Sequence, residues 1–251
     1  MANQVKKTSL GIALVTGGVG GIGTAICQAL SKDNAVIIGT YIAAEKEYAH
    51  KWQQEREKEG MNVDLFECDV SDFESCKNTA QNIEKHYGRV DVLVNCAGIT
   101  RDAMLKKLDN DNWHKVMETN LETVFNITRN LVEGMIKRGY GRIINISSVN
   151  GQIGQTNYSS SKAGMIGFTR ALAVELADKG IAVNCVCPGY VATKMVEAIP
   201  EHIKQAIISQ IPLGRLAIPV EIANAVAFLA AKESAYITGT ELAVNGGLWT
   251  G

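Results

Sequence analysis

Short apolar runs without polar alternation recur along the chain, each followed by a stretch with apolar residues every three or four positions. The runs lie at residues 12–15, 35–38, 63–68, 90–94, 142–146, 181–186 and 241–244. Helical periodicity fills residues 24–30, 45–59 (ended by Gly60), 73–86, two stretches up to residue 138, then 158–178 and 220–231. A helical hairpin or lid is expected around residues 195–210. Strands that lose their polar alternation are buried on both faces, which is the mark of a parallel sheet. Repeated strand–helix units with right-handed crossovers then predict a doubly wound α/β sheet of seven parallel strands with helices on both faces. No linker, repeat or low-complexity stretch interrupts the pattern, and Pro188, Pro212 and Pro219 sit at element ends. One domain over residues 1–251 is expected.

Composition narrows the class. The 251 residues are 46% hydrophobic, enough for one large core in a single domain. The formal charge is −1, which speaks against a nucleic-acid or anionic-membrane partner. Cys27, Cys68, Cys76, Cys96, Cys185 and Cys187 are scattered, with no Cys-x-x-Cys pair. They read as reduced, mostly buried thiols of a cytoplasmic protein, and no metal site is expected. Residues 1–9 carry two lysines and no apolar core of a signal peptide, and no membrane span is expected.

Two constellations carry chemistry. The run Thr16-Gly17-Gly18-Val19-Gly20-Gly21-Ile22-Gly23 follows the first strand and opens the first helix. Glycines let backbone approach a ligand closely, and a helix N-terminus offers free N–H groups to a pyrophosphate. The alternative is a tight turn with no ligand; five glycines in that place favour a dinucleotide and a Rossmann-type fold. The second constellation is Tyr158-Ser159-Ser160-Ser161-Lys162. Tyrosine and lysine four apart share one helix face. A free phenol titrates at about 10, and a nearby ammonium favours the phenolate and brings it toward the working range. Alone, this spacing arises often by chance.

In their order along the chain, Thr16-Gly17…Gly21-Ile22-Gly23, Asn95-Cys96-Ala97-Gly98, Asn120, Ser148, Tyr158…Lys162 and Pro188-Gly189 resemble the short-chain dehydrogenase/reductase family over the whole length. Within it, the stretches at 99–102, 146–152, 154–158, 188–193 and 245–248 are most similar to the acetoacetyl-CoA reductases of polyhydroxybutyrate biosynthesis. The 3-oxoacyl-acyl-carrier-protein reductases are the nearest competitor. The resemblance implies an NADP-dependent oxidoreductase of CH–OH groups and a homotetramer. Its substrate would be an acyl-CoA or acyl-carrier-protein thioester.

The resemblance also implies residue roles. Tyr158 would protonate the carbonyl oxygen, Lys162 would hold the ribose and lower the tyrosine pKa, and Ser148 would donate to the developing alkoxide. Asn120 would hold a water of a proton relay, or be a polar residue inside a helix. The dinucleotide would be lined by Gly17, Gly21, Ile22, Gly23, Thr40, Asp69, Val70, Asn95, Ala97, Gly98, Tyr158, Lys162, Pro188, Gly189, Val191 and Thr193. Asp69 would touch the adenine or serve a helix cap, and Thr193 would reach the cofactor or cap a helix. Asp102, Ser148, Gln155, Tyr158 and Tyr190 would face substrate. Ser147 is the other candidate oxyanion donor, but strand alternation turns it to the opposite face.

Two features qualify the picture. Ser148 lies ten positions before Tyr158, a shorter loop than the acetoacetyl-CoA reductases usually have. Part of the substrate wall is therefore expected to be missing. The second strand continues Gly39-Thr40-Tyr41-Ile42 with no carboxylate before Glu45. A carboxylate there would bind the 2′-hydroxyl of NAD and repel a 2′-phosphate, so NADP(H) is the expected cofactor. No arginine stands in the glycine turn, and Lys46 is the nearest cation.

Overall fold

The computed structural model describes residues 10–33, 35–149, 155–197 and 199–250. Seven strands run through it: β1 Ile12–Thr16, β2 Val36–Tyr41, β3 Val63–Glu67, β4 Val92–Asn95, β5 Gly141–Ile146, β6 Ile181–Pro188 and β7 Glu241–Val244. All neighbours pair parallel, in the order β3-β2-β1-β4-β5-β6-β7. The order reverses between β1 and β4, so a crevice opens at their carboxyl ends, where open α/β sheets bind ligands.

Period-two alternation sorts the strand side chains onto two helix layers. Ala13, Val15, Ile37, Val92 and Val94 face one core. It is completed by Ile26 and Leu30 of α1 (Gly21–Ser31), Trp52 of α2 (Lys46–Lys58) and Ile222 and Val226 of α9 (Pro219–Ala230). Leu14, Ile38, Leu93 and Ile143 face the other core. Against them pack Ile83 of α3 (Phe73–Tyr87), Leu131 and Met135 of α5 (Thr123–Arg138) and Leu176 of α6 (Thr156–Leu176). Leu14 and Ile38 are fully buried, each burial being worth about 1.5–3 kcal/mol. The expected parallel sheet with helices on both faces is the observed one.

Helix ends follow local chemistry. Asp72 caps α3 by accepting from Ser75 N at 2.6 Å, and Asp109 caps α4 (Asn110–Met117) by accepting from Asn112 N at 2.7 Å. Between α4 and α5 the chain makes a π-helical turn, Glu118–Glu122. The expected lid consists of two short helices, α7 (Lys194–Glu197) and α8 (Glu201–Ile208).

Several boundaries differ from the sequence reading. α1 begins at Gly21, inside the glycine run, because the turn and the helix share residues. β2 extends to Tyr41, since Thr40 and Tyr41 pair with Phe66 and Glu67 of β3 despite ending the apolar run. β4 begins at Val92; Asp91 before it still donates its amide to Ile12 O at 2.8 Å and accepts from Arg142 N at 2.9 Å, while its carboxylate takes the Ile12 amide at 2.9 Å.

Candidate active site

The crevice begins at Thr16, the last residue of β1. Its buried hydroxyl accepts from Cys96 N at 3.0 Å and Ala97 N at 3.2 Å, joining the carboxyl ends of β1 and β4. The next residue, Gly17, has φ +63°, and a Cβ there would stand 3.0 Å from the Ala97 Cα. Its amide donates to Thr40 Oγ1 at 3.2 Å. A Cβ on Gly23 would overlap the Gly17 carbonyl, so α1 packs directly onto the turn. The α1 N-cap is Gly20, with no side chain capping it and no acidic residue in the first turn. Those first amides therefore remain as donors for an anion, aided by the helix dipole. Thr193 stands over them: a Cβ on Gly21 would meet its Cγ2 at 3.2 Å. The donor set and the close backbone approach fit a dinucleotide pyrophosphate.

Around this cradle, several expected contacts turn their side chains elsewhere. Thr40 is 1% exposed and holds Gly17, so it supports the turn instead of facing a ribose. Asn95 is equally buried, and its Nδ2 donates to Asn145 Oδ1 at 2.8 Å in a ladder that continues to Thr169. Its Oδ1 is buried without a hydrogen-bond partner among the described residues. Val70 is packed in the core, and Val191 is buried beside a bridge to Ala217. Only the backbones of these residues could face a cofactor. Asp69 accepts from Ser71 N at 3.0 Å and Ser71 Oγ in a local turn; the helix cap is Asp72. Pro188 ends β6, Gly189 N donates to Val244 O at 3.1 Å, and a Cβ on Gly189 would stand 3.0 Å from the Asn245 Cα. Tyr190 lines a cleft of about 230 Å³ with Leu213, Arg215 and Asn245.

The second half of the site is built on α6 and the end of β5. Tyr158 and Lys162 lie one turn apart, with the ammonium 5.6 Å from the Tyr158 ring centroid. Lys162 is 4% exposed, and among the described residues no carboxylate pairs with it. Its Nζ donates to Ile146 O at 2.8 Å. Gly98 approaches the same ammonium: a Cβ there would stand 3.5 Å from Nζ and 3.2 Å from Asn120 Oδ1. Neighbouring Cys96 is held up at about 11 by burial, with the Lys162 charge acting in the opposite direction.

Of the two serines, Ser147 is buried and its hydroxyl donates to Lys162 O at 2.9 Å, a structural task. Ser148 is half-buried and, by alternation, turned to the other side. Asn120 sits in the π-helical turn, fully buried. Its Oδ1 accepts from Ile99 N at 2.8 Å, and its Nδ2 donates to Ile99 O at 3.0 Å and Ser161 Oγ at 3.2 Å. Ser161 Oγ in turn donates to Tyr158 O at 2.7 Å. The Asn120 side chain thus pins the loop after β4 onto α6. Gln155 Nε2 donates to Asp102 Oδ2 at 2.8 Å, which unites two expected substrate contacts. The short segment before Gln155 lies outside the described residues. Sequence reasoning missed the bridging role of Thr16, although it stands inside the glycine motif, and assigned no role to Ser161 or Asn157. Among the described residues the cysteines are free thiols, and no cluster of potential metal ligands occurs.

A Rossmann-type crevice with a glycine turn on one side and a tyrosine–lysine helix face on the other defines a nicotinamide-dependent oxidoreductase. A family model described as enoyl-(acyl carrier protein) reductase matches residues 17–249, and the chain belongs to this short-chain dehydrogenase/reductase family. It is an oxidoreductase acting on CH–OH groups. The chain is 52% identical to an acetoacetyl-CoA reductase of Allochromatium vinosum, over 95% of this chain and 98% of that protein. It is 44% identical to a 3-oxoacyl-[acyl-carrier-protein] reductase FabG of Haemophilus influenzae, over 95% of this chain and 98% of the relative. The crystal structure of gox2181 superposes with a TM-score of 0.90 at 32% identity, covering 94% of this chain and 95% of the other.

Proposed function

We propose that this chain is an NADPH-dependent reductase of 3-oxoacyl thioesters that converts acetoacetyl-CoA to (R)-3-hydroxybutyryl-CoA. One observation carries the reading. Ser148, Tyr158 and Lys162 stand around the carboxyl end of β5 in a chain 52% identical to an acetoacetyl-CoA reductase. A nicotinamide dinucleotide, when bound, would supply the hydride for the 3-oxo carbon. Tyr158 delivers its hydroxyl proton to the oxygen as charge gathers there. The buried Lys162 cation, with no carboxylate paired to it among the described residues, acts on the phenolate left behind. Ser148 donates a hydrogen bond to the developing alkoxide. A water on the backbone of the Asn120 turn would return the proton, since π-helical turns loosen the regular backbone pairing and gather at functional sites.

NADPH is the proposed cofactor because β2 ends in Tyr41 and Ile42, with no carboxylate to repel a 2′-phosphate. The first α1 amides, Gly17, Ala97, Gly98 and Thr193 would hold the dinucleotide. A cytoplasmic homotetramer is part of the proposal. Phe125 on α5, Phe228 on α9 and Trp249 near the end of the chain are half-exposed and offer apolar faces to other subunits.

The test follows NADPH and NADH absorbance with acetoacetyl-CoA, the acetoacetyl-carrier-protein thioester and simple ketones. Turnover of acetoacetyl-CoA with NADPH supports the reading. Preference for the carrier-protein thioester would make the chain a 3-oxoacyl-acyl-carrier-protein reductase, the second reading, which the 44% identical relative favours. Activity on another alcohol or ketone alone would make it a short-chain dehydrogenase of different substrate.

A further inference from the structure

Asn157, immediately before the proposed proton donor, is fully buried and uses both ends of its amide. Its Oδ1 accepts from Tyr158 N at 2.8 Å, one of the α6 amides that lacks an intrahelical partner. Its Nδ2 donates to Arg101 O at 3.0 Å and, more weakly, to Asn112 O at 3.4 Å in α4. One side chain therefore ties the first turn of α6, the loop after β4 and the first turn of α4. The neighbouring Gln155–Asp102 bond fastens the same loop at its next residue, and Asn120 holds Ile99 two residues before Arg101. Asparagine suits this place because it alone, with glutamine, carries an acceptor and two donors on one planar group.

We propose that Asn157 is a positioning residue that fixes the Tyr158 hydroxyl and the Asp102 side of the substrate pocket in one geometry. The proposal rests on the reading of Tyr158 as the proton donor. The hydrogen bonds of the buried Asn157 side chain go to Arg101, Asn112 and Tyr158, so it acts through Tyr158 and the loop. Where the Ser148–Tyr158 connection is short, this clamp supplies the fixed relation between α6 and the opposite wall. Misplacing a reacting group by about 1 Å can reduce turnover on the order of 100-fold.

The experiment compares the full-length wild type with Asn157→Ala and, should that variant fold poorly, Asn157→Ser, neither of which reaches the Arg101 carbonyl. The expected kcat for acetoacetyl-CoA falls about 10- to 100-fold. NADPH affinity and binding stoichiometry by fluorescence stay at wild-type values. The primary isotope effect with 4-deuterated NADPH rises, because the hydride step becomes rate-limiting. Amide exchange across residues 99–112 quickens. Unchanged kcat and unchanged exchange overturn the proposal. So does a lower kcat that tracks a smaller NADPH-binding fraction with the isotope effect unaltered, which marks a merely structural role. A wild type inert on both thioesters sinks the substrate assignment instead. The exchange measurement then still decides the clamp: faster exchange in the variant supports it, and unaltered exchange overturns it.

Discussion

The Lys162 ammonium donates to the Ile146 carbonyl at 2.8 Å, so the cation of α6 is anchored to the carboxyl end of β5. The same sheet end carries Ser148, two residues on, and the same helix carries Tyr158 one turn back. A single hydrogen bond thus relates the helix face to the strand end across which substrate would lie. That geometry makes Tyr158→Phe the sharpest mechanistic variant. It removes the hydroxyl and leaves the ring packed. Reduction should fall by about 100-fold or more while NADPH binding by fluorescence persists. Turnover near wild type would remove Tyr158 from the mechanism.

Thr16→Val tests the bridge between β1 and β4. The substitution keeps the shape and leaves the Cys96 and Ala97 amides without their acceptor. A buried amide stripped of its partner costs about 1–3 kcal/mol. Chemical denaturation should show that loss, together with weaker NADPH binding, because the crevice is formed by those two strand ends. Full stability with wild-type affinity would contradict the bridge.

Cofactor choice is tested at Ile42, the exposed residue immediately after β2. Ile42→Asp adds a carboxylate without disturbing the core. The ratio of kcat/KM for NADPH over NADH should fall, through repulsion of the 2′-phosphate. Thr40 is the wrong place for that charge, since its buried hydroxyl holds Gly17. A wild type that prefers NADH overturns the cofactor assignment.

Substrate size is tested with ethyl acetoacetate beside acetoacetyl-CoA at fixed NADPH. The pantetheine arm offers binding energy remote from the reacting carbon, which can orient the carbonyl toward Tyr158. The truncated ester should show a much lower kcat/KM. An equal or higher value for the ester would point to a different alcohol or ketone.

Acid stability is tested at Glu221, whose carboxyl lies well below its ordinary value, at about 2, through hydrogen bonds from Arg215 and then the Ile218 amide. A depressed folded-state value contributes stability above the ordinary 4.5 and loses it as pH falls through about 2. The melting-temperature gap between wild type and Glu221→Gln should be largest near neutral pH and narrow steadily from about pH 4.5 downward. A gap that does not depend on pH would deny the ion pair that role.

The doubly wound class, the glycine turn and the Tyr158–Lys162 face were all legible in the chain, because each depends on short-range spacing. Strand burial on two faces appears as unbroken apolar runs, a helix face as a four-residue interval, and a phosphate turn as clustered glycines. The inward turn of Thr40, Asn95 and Val70 was not legible. At the carboxyl end of a strand, alternate side chains face the core or the crevice, and register alone decides which. The partners that decide it are remote in sequence: Gly17 for Thr40, Asn145 for Asn95 and the Asn126 side chain for the Val70 carbonyl. Asn157 was hidden for the same reason, since Arg101 lies 56 positions away and nothing local marks the pair. Local periodicity therefore determined the sheet and the helix face that Tyr158 and Lys162 share. Tertiary packing decided which polar side chains hold the scaffold together and which stay turned toward the crevice, because a buried polar group must take whatever partner the folded chain brings to it.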